Sequence, residues 1–199
     1  MDETAYATFE QAIEDLADRM IARADGCPFA LFGHSMGGAL AYEIAQYLAA
    51  RQPAEDLSFI AVSSALPPHR RDPNMPRYYE LPDRDFIQHL IDTGGMTAQL
   101  AAQAELMASY LPLIRHDYRL YHQYQPPSYP PLSIPLYALW GGEEDRNANM
   151  PAWADYSHAF NGGKVYPGDH FYWRQGLDAV AADISAIACQ APADQTCGR

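Results

Sequence analysis

Cysteine is scarce in this chain: three in 199 residues, at Cys27, Cys189 and Cys197. So sparse and odd a count excludes a disulfide framework and predicts reduced thiols in a cytoplasmic protein. Basic charge is scarce too, with 13 Lys and Arg against 25 Asp and Glu and a net charge of −12. That balance argues against nucleic acid or an anionic membrane as the main partner. Small basic clusters remain, at Arg70, Arg71 and Arg77 and at Arg115 and Arg119. No apolar run has the length of a transmembrane helix, and the acidic N-terminus has no apolar signal-peptide core. His and Cys show no metal-ligand spacing, so no metal site is expected. Repeats and low-complexity blocks are also missing. What remains is ordinary globular composition, 48% apolar and 19% charged, at a length that suits one domain with a sizeable core.

Hydrophobic spacing predicts a helix over residues 3–25, with Tyr6, Phe9, Ile13, Leu16, Met20 and Ile21 on one face. Gly26 ends it, with Pro28 just beyond. A strand is expected at 29–33, a helix over 36–50 and a second strand at 57–62, the last too apolar to alternate and suited to a covered parallel sheet. Five prolines make 63–82 a surface excursion. Helices follow at 83–93 and 98–124, the second expected to break near Pro112. Its many apolar positions (Leu106, Met107, Tyr110, Leu113, Ile114, Tyr118, Tyr121) are read first as core. A face lining a cleft is compatible with that, since helices inserted by Pro-rich loops also build lids. A third strand is expected at 134–140, helical structure at 153–160, a short strand at 163–166 and a closing helix over 173–188. That last helix should bury Leu177, Val180, Ala181, Ile184 and Ile187. The tail from Gln190 is expected to fray.

Between the first strand and the helix after it stands Gly33-His34-Ser35-Met36-Gly37. G-x-S-x-G in that context is a nucleophile elbow, a sharp turn that lifts a serine hydroxyl clear of the sheet. Side chains at Gly33 and Gly37 are expected to collide with neighbouring backbone. The Met36 N–H, at the positive end of the helix, suits a developing oxyanion. A serine needs a base, and the base an orienting carboxylate. In the α/β-hydrolase arrangement they follow in the order Ser, acid, His, each after a strand. His170 lies after the last strand, whereas His69, His89, His116 and His122 come before any candidate acid and His158 lies in a helical pattern. Glu143, Glu144 and Asp145 compete for the acid, with Asp145 favoured. His34 is read as structural, and Asp169 as a turn residue.

Four segments together resemble the type II thioesterases that accompany nonribosomal peptide and polyketide synthases. They are residues 28–37; Leu81-Pro82-Asp83 with Phe86 and Gly94-Gly95; 111–120; and Pro167-Gly168-Asp169-His170-Phe171. The third segment, Leu-Pro-Leu-Ile-Arg-His-Asp-Tyr-Arg-Leu, is the most specific. The resemblance implies an α/β fold of the α/β-hydrolase type, a mostly parallel sheet flanked by helices. It implies a single domain over 1–199 with a mobile helical lid inserted at about 67–127, and a triad of Ser35, Asp145 and His170. The implied substrate is an acyl or aminoacyl group on the phosphopantetheine arm of a carrier protein. No cofactor of its own is implied, nor a nucleic-acid or membrane partner, and the chain is read as a monomer. Family members carry further strands upstream and a Pro-x-Ala-Gly-Gly-like loop that supplies a second oxyanion donor. Residues 1–34 hold one helix and no such loop, so an N-terminally shortened form is expected, with Met36 the one nameable donor. A small-ester hydrolase of the same fold, or an impaired form that only binds a carrier, are the alternatives.

Overall fold

The computed structural model describes residues 5–51, 56–72, 74–145 and 147–190; the expected fraying beyond Gln190 lies outside them. In chain order the elements are α1 (Phe9–Ala24), β1 (Phe29–His34), α2 (Met36–Arg51), β2 (Leu57–Ser63), α3 (Asp83–Asp92), α4 (Ala98–Ala101), α5 (Ala104–Gln123), β3 (Leu136–Gly141), β4 (Phe160–Tyr166) and α6 (Trp173–Gln190). Short 3-10 turns occupy Pro68–Arg70 and Tyr78–Glu80, and a longer one Asn147–Tyr156. The chain divides into two compact units, one of Met1–Phe9 with Asp72–Gln125 and one of Glu10–Arg71 with Pro126–Arg199.

The second unit contains the sheet. Its four strands run parallel in the order β1-β2-β3-β4, so each strand lies beside its successor in the chain. This is the α/β topology that unalternating apolar strands separated by helices imply. Every residue of β2 except Ser58 is buried, as a central strand covered on both faces requires. α2 packs on β1 and β2 and buries Ala41, Tyr42, Ile44, Ala45 and Leu48. Phe59 and Ala61 of β2, Leu139 of β3 and Tyr166 of β4 cluster with Tyr172 and, from α6, Val180. α6 departs from helical geometry at Gly176 (φ −134°, ψ 34°). Leu177, expected on its buried face, is 61% exposed.

The other unit is helical. Phe86 and Leu90 of α3, Met96, and Met107 and Leu111 of α5 form its core, packed by Tyr78, Leu81, Ile114 and Tyr118. Burying the Phe86 ring alone contributes about 2–3 kcal/mol. Arg115 fastens α5 to the preceding chain, donating to the carbonyls of Tyr79 (2.5 Å) and Leu81 (2.8 Å) and to Asp83 Oδ1 (2.7 Å). Its guanidinium also lies 4.5 Å from the centre of the Phe86 ring. That gives a physical role to the first of the two arginines in the most specific segment. The apolar stripe of α5 divides: Met107 and Leu111 go to the core, while Leu106, Tyr110 and Leu113 stay exposed.

Two helical expectations need correction. The break in 98–124 falls between α4 and α5, at Gln103 (φ −89°, ψ 90°), and Pro112 sits inside an unbroken α5. Pro112 and Ala108, whose carbonyl loses its helical partner there, are both exposed, so water can satisfy that carbonyl. Of the 153–160 segment, residues 153–156 end the 3-10 turn and no α-helix forms, and β4 starts early, at Phe160. Pro151 within that turn is compatible with the tighter winding.

Candidate active site

Ser35 has the geometry of an elbow. Its φ is +55°, in the left-handed region that residues with a Cβ adopt only under strain. The turn is clamped on both sides. Ser35 N donates to Ser63 O at 2.7 Å, and Gly38 N donates to Ser35 O at 3.0 Å as α2 begins. A Cβ on Gly33 would lie 1.9 Å from the Gly37 carbonyl oxygen, so only glycine fits there. The second tight position is Gly38, not Gly37. A Cβ on Gly38 would lie 2.6 Å from Ala65 Cβ, whereas one on Gly37 would meet nothing within 4 Å. Met36 opens α2, where unpaired N–H groups and the helix dipole favour negative charge.

The loops that follow β3 and β4 are bound together by their backbones. Gly142 N donates to Tyr166 O at 2.8 Å and Glu143 N to Gly168 O at 2.9 Å. Gly141 approaches so closely that a Cβ would lie 2.0 Å from Asp169 O. Gly168 turns at φ +111° to start the His170 loop. Asp169 is a turn residue, as expected, and its Oδ1 accepts from Phe171 N at 2.8 Å.

This close fit selects the carboxylate that meets His170. Glu144, not Asp145, faces His170: Nδ1 of His170 lies 3.2 Å from Glu144 Oε2. The Glu144 side chain is 5% exposed, while Glu143 and Asp145 point to solvent. The favoured assignment of Asp145 is therefore corrected to Glu144. The loop leaves Gly141 and Gly142 with the intermediate residue turned inward, and Glu144 Oε1 accepts from the Gly141 N–H at 3.0 Å. Burial alone would raise the Glu144 pKa. The hydrogen bonds from His170, Ser64 and Gly141 outweigh it and hold the group below its ordinary value, so it stays a carboxylate.

His34 joins the elbow to this pair. Its ring lies 4.8 Å from that of His170, 5.4 Å from Phe171 and 5.9 Å from Trp173. Nδ1 of His34 is 2.9 Å from Ser63 Oγ, which is hydrogen-bonded in turn to the Tyr172 hydroxyl at 2.7 Å. Burial, reinforced by His170 and Arg174 against the attraction of Glu144, lowers the His34 pKa to about 4. A neutral His34 places no second cation beside the His170 ring.

A stability prediction follows. Unfolded histidine takes up a proton near pH 6.5, but folded His34 resists until about pH 4. The unfolded state thus binds more protons in that window, and the His34 contribution to stability is lost as pH falls through it. In His34→Gln, which can still bond Ser63 but does not titrate, Tm should fall less steeply between about pH 6.5 and 4. Equal slopes for the two proteins would mean that His34 is not buried in the neutral form.

The expectation of three reduced thiols fails at Cys27, which is disulfide-bonded; Cys189 is free and exposed. No helix among the described residues is long and apolar enough to cross a membrane.

A parallel sheet with a strained serine after one strand, and a His–Glu pair built from the loops of two later strands, makes this chain a hydrolase of the α/β-hydrolase fold. Comparison with known proteins is more specific. The model of the thioesterase domain family matches residues 1–188, and the chain belongs to that family. It is 30% identical to the Brevibacillus parabrevis protein named linear gramicidin dehydrogenase LgrE, over 92% of this chain and 71% of the relative. The crystal structure of ClbQ from the colibactin nonribosomal peptide and polyketide synthase pathway superposes with a TM-score of 0.85, at 25% identity over 94% of this chain and 79% of that one. YbtT, the type II thioesterase of the yersiniabactin pathway, gives 0.78 at 30% identity over 90% and 73%. Other curated relatives are longer, the chain spanning 12% to 66% of their length. The resemblance to synthase-associated type II thioesterases thus holds over nearly the whole chain.

Proposed function

We propose that this chain hydrolyses acyl or aminoacyl thioesters carried on the phosphopantetheine arm of a carrier protein, clearing misprimed or stalled groups from a modular synthase. The observation that carries the mechanism is the His170–Glu144 pair beside the elbow. With Nδ1 turned to Glu144, His170 keeps Nε2 for the Ser35 hydroxyl. Ser35 Oγ attacks the thioester carbonyl as His170 takes its proton, and the Met36 N–H stabilises the oxyanion. Collapse of the tetrahedral intermediate breaks the C–S bond, and His170 returns the proton to the departing thiol. His170 then deprotonates a water that attacks the acyl-serine, releasing the carboxylic acid and restoring Ser35. No cofactor is needed beyond the arm that the partner brings.

The helical unit is proposed as the lid. The exposed Leu106, Tyr110 and Leu113 of α5, one turn apart, give it a face suited to an acyl chain. The cytoplasmic setting belongs to the same proposal and rests on the carrier partner, no longer on cysteine usage. Initial rates on an acyl-loaded carrier and on the free short-chain ester of the same acid test the reading. The carrier thioester should have the higher kcat/KM by about 100-fold, as remote binding contacts are used at the reacting centre. A higher kcat/KM for the free ester would make the chain a small-ester hydrolase instead.

A further inference from the structure

The end of β2 is where the other strand ends meet. Ser63, Ser64 and Ala65 are 0%, 3% and 2% exposed. Ser63 O accepts from the nucleophile's N–H, Ser64 N donates to Leu139 O at 2.8 Å, and Ala65 O accepts from Trp153 Nε1 at 2.8 Å. Within this junction Ser64 has φ +48°, a left-handed conformation that costs a serine of order 1 kcal/mol or more. In that conformation its Oγ donates to Glu144 Oε1, with the His170 carbonyl oxygen a longer 3.3 Å away. A hydroxyl has one proton to give, and the carboxylate takes it. Oε1 thus holds two donors, Ser64 Oγ and the Gly141 N–H, and Oε2 is left for His170.

We propose that Ser64 is a positioning residue for the hydrolysis, its strained backbone and hydroxyl fixing which oxygen of Glu144 faces His170. This rests on Glu144 being the orienting carboxylate. A glutamate has one more torsion than an aspartate, so its carboxylate loses more freedom when held at one orientation. Ser64 and Gly141, from the ends of β2 and β3, remove that freedom by both donating to Oε1. Strain kept at a serine whose hydroxyl is turned onto the carboxylate fits a functional constraint.

Ser64→Gly is the test, because glycine adopts this φ freely and the variant should fold with an unchanged or higher Tm. On an acyl-N-acetylcysteamine thioester its kcat should fall about tenfold, the effect of losing one hydrogen bond to a charged group, with KM within about twofold. The groups facing Glu144 are His170, Ser64 and the Gly141 N–H, and its charge also reaches His34 and Tyr172. Having lost a donor, the carboxylate becomes more basic and the His170–Glu144 pair holds its proton more tightly. The acid limb of kcat/KM should therefore move to higher pH. Unchanged kcat and an unmoved limb overturn the proposal, and so does a lower kcat without the limb shift, which marks loosened packing alone. Glu144→Gln, assayed alongside, separates the failures. If it keeps wild-type activity the acid assignment is wrong; if it is inactive while Ser64→Gly is not, only the role of Ser64 is lost.

Discussion

Ser35→Ala should lower acyl release from a loaded carrier protein by about 10⁴- to 10⁶-fold, with Tm little changed. The large loss follows from the chemistry, since without the hydroxyl no acyl-enzyme can form and only oxyanion stabilisation and binding remain. Stability should hold because the strain at φ +55° belongs to the backbone. Alanine bears it as serine does, and the clamping hydrogen bonds of the elbow come from main-chain groups. Release by the alanine variant at the wild-type rate would remove the serine mechanism altogether.

The second large effect separates two adjacent acids. Glu144→Gln should lower kcat by about 10³- to 10⁴-fold, whereas Asp145→Asn should stay within about threefold of wild type. Glutamine is isosteric and still accepts from Gly141 and Ser64, so the loop keeps its shape. It supplies no negative charge to the His170 imidazolium, and its amide can present an N–H to Nδ1, which favours the wrong tautomer. Asp145 is exposed, so its loss removes only a solvated charge. Glu144 also links the pair to acid stability. Its lowered pKa means that its contribution is full above the ordinary carboxylate range and is lost as pH falls through the lowered value. The opposite ranking, with Asp145→Asn crippled and Glu144→Gln active, would reinstate the aspartate.

Why the inward carboxylate escaped the sequence, when the strained turn at Ser35 and the loop position of His170 did not, is a matter of where each is specified. Ser35 is fixed by local chain: an apolar strand, two glycines and a helix start occupy consecutive residues. Gly33 is readable because its partner, Gly37, is four residues away. Gly38 is not, because it yields to Ala65, which only the fold brings near. The acid is chosen by tertiary contact. Glu143, Glu144 and Asp145 all carry carboxylates, and the inward one is set by backbone bonds from Gly142 and Glu143 to the β4 end and its loop. Ser64 gave no signal, since a serine after a strand does not announce a positive φ. The strands were legible through their apolar runs. The misplaced break at Pro112 and the exposed Leu177 share another cause: helix periodicity shows which residues could face a core, but not where solvent satisfies a carbonyl or a glycine swings the axis.

The most direct measurement is peptide mapping after reaction with a fluorophosphonate, which modifies only a serine activated by a neighbouring base. A single adduct on the peptide containing Ser35, lost in His170→Ala, is the predicted result. An unlabelled Ser35 in folded protein, or an adduct on another serine, would contradict the account.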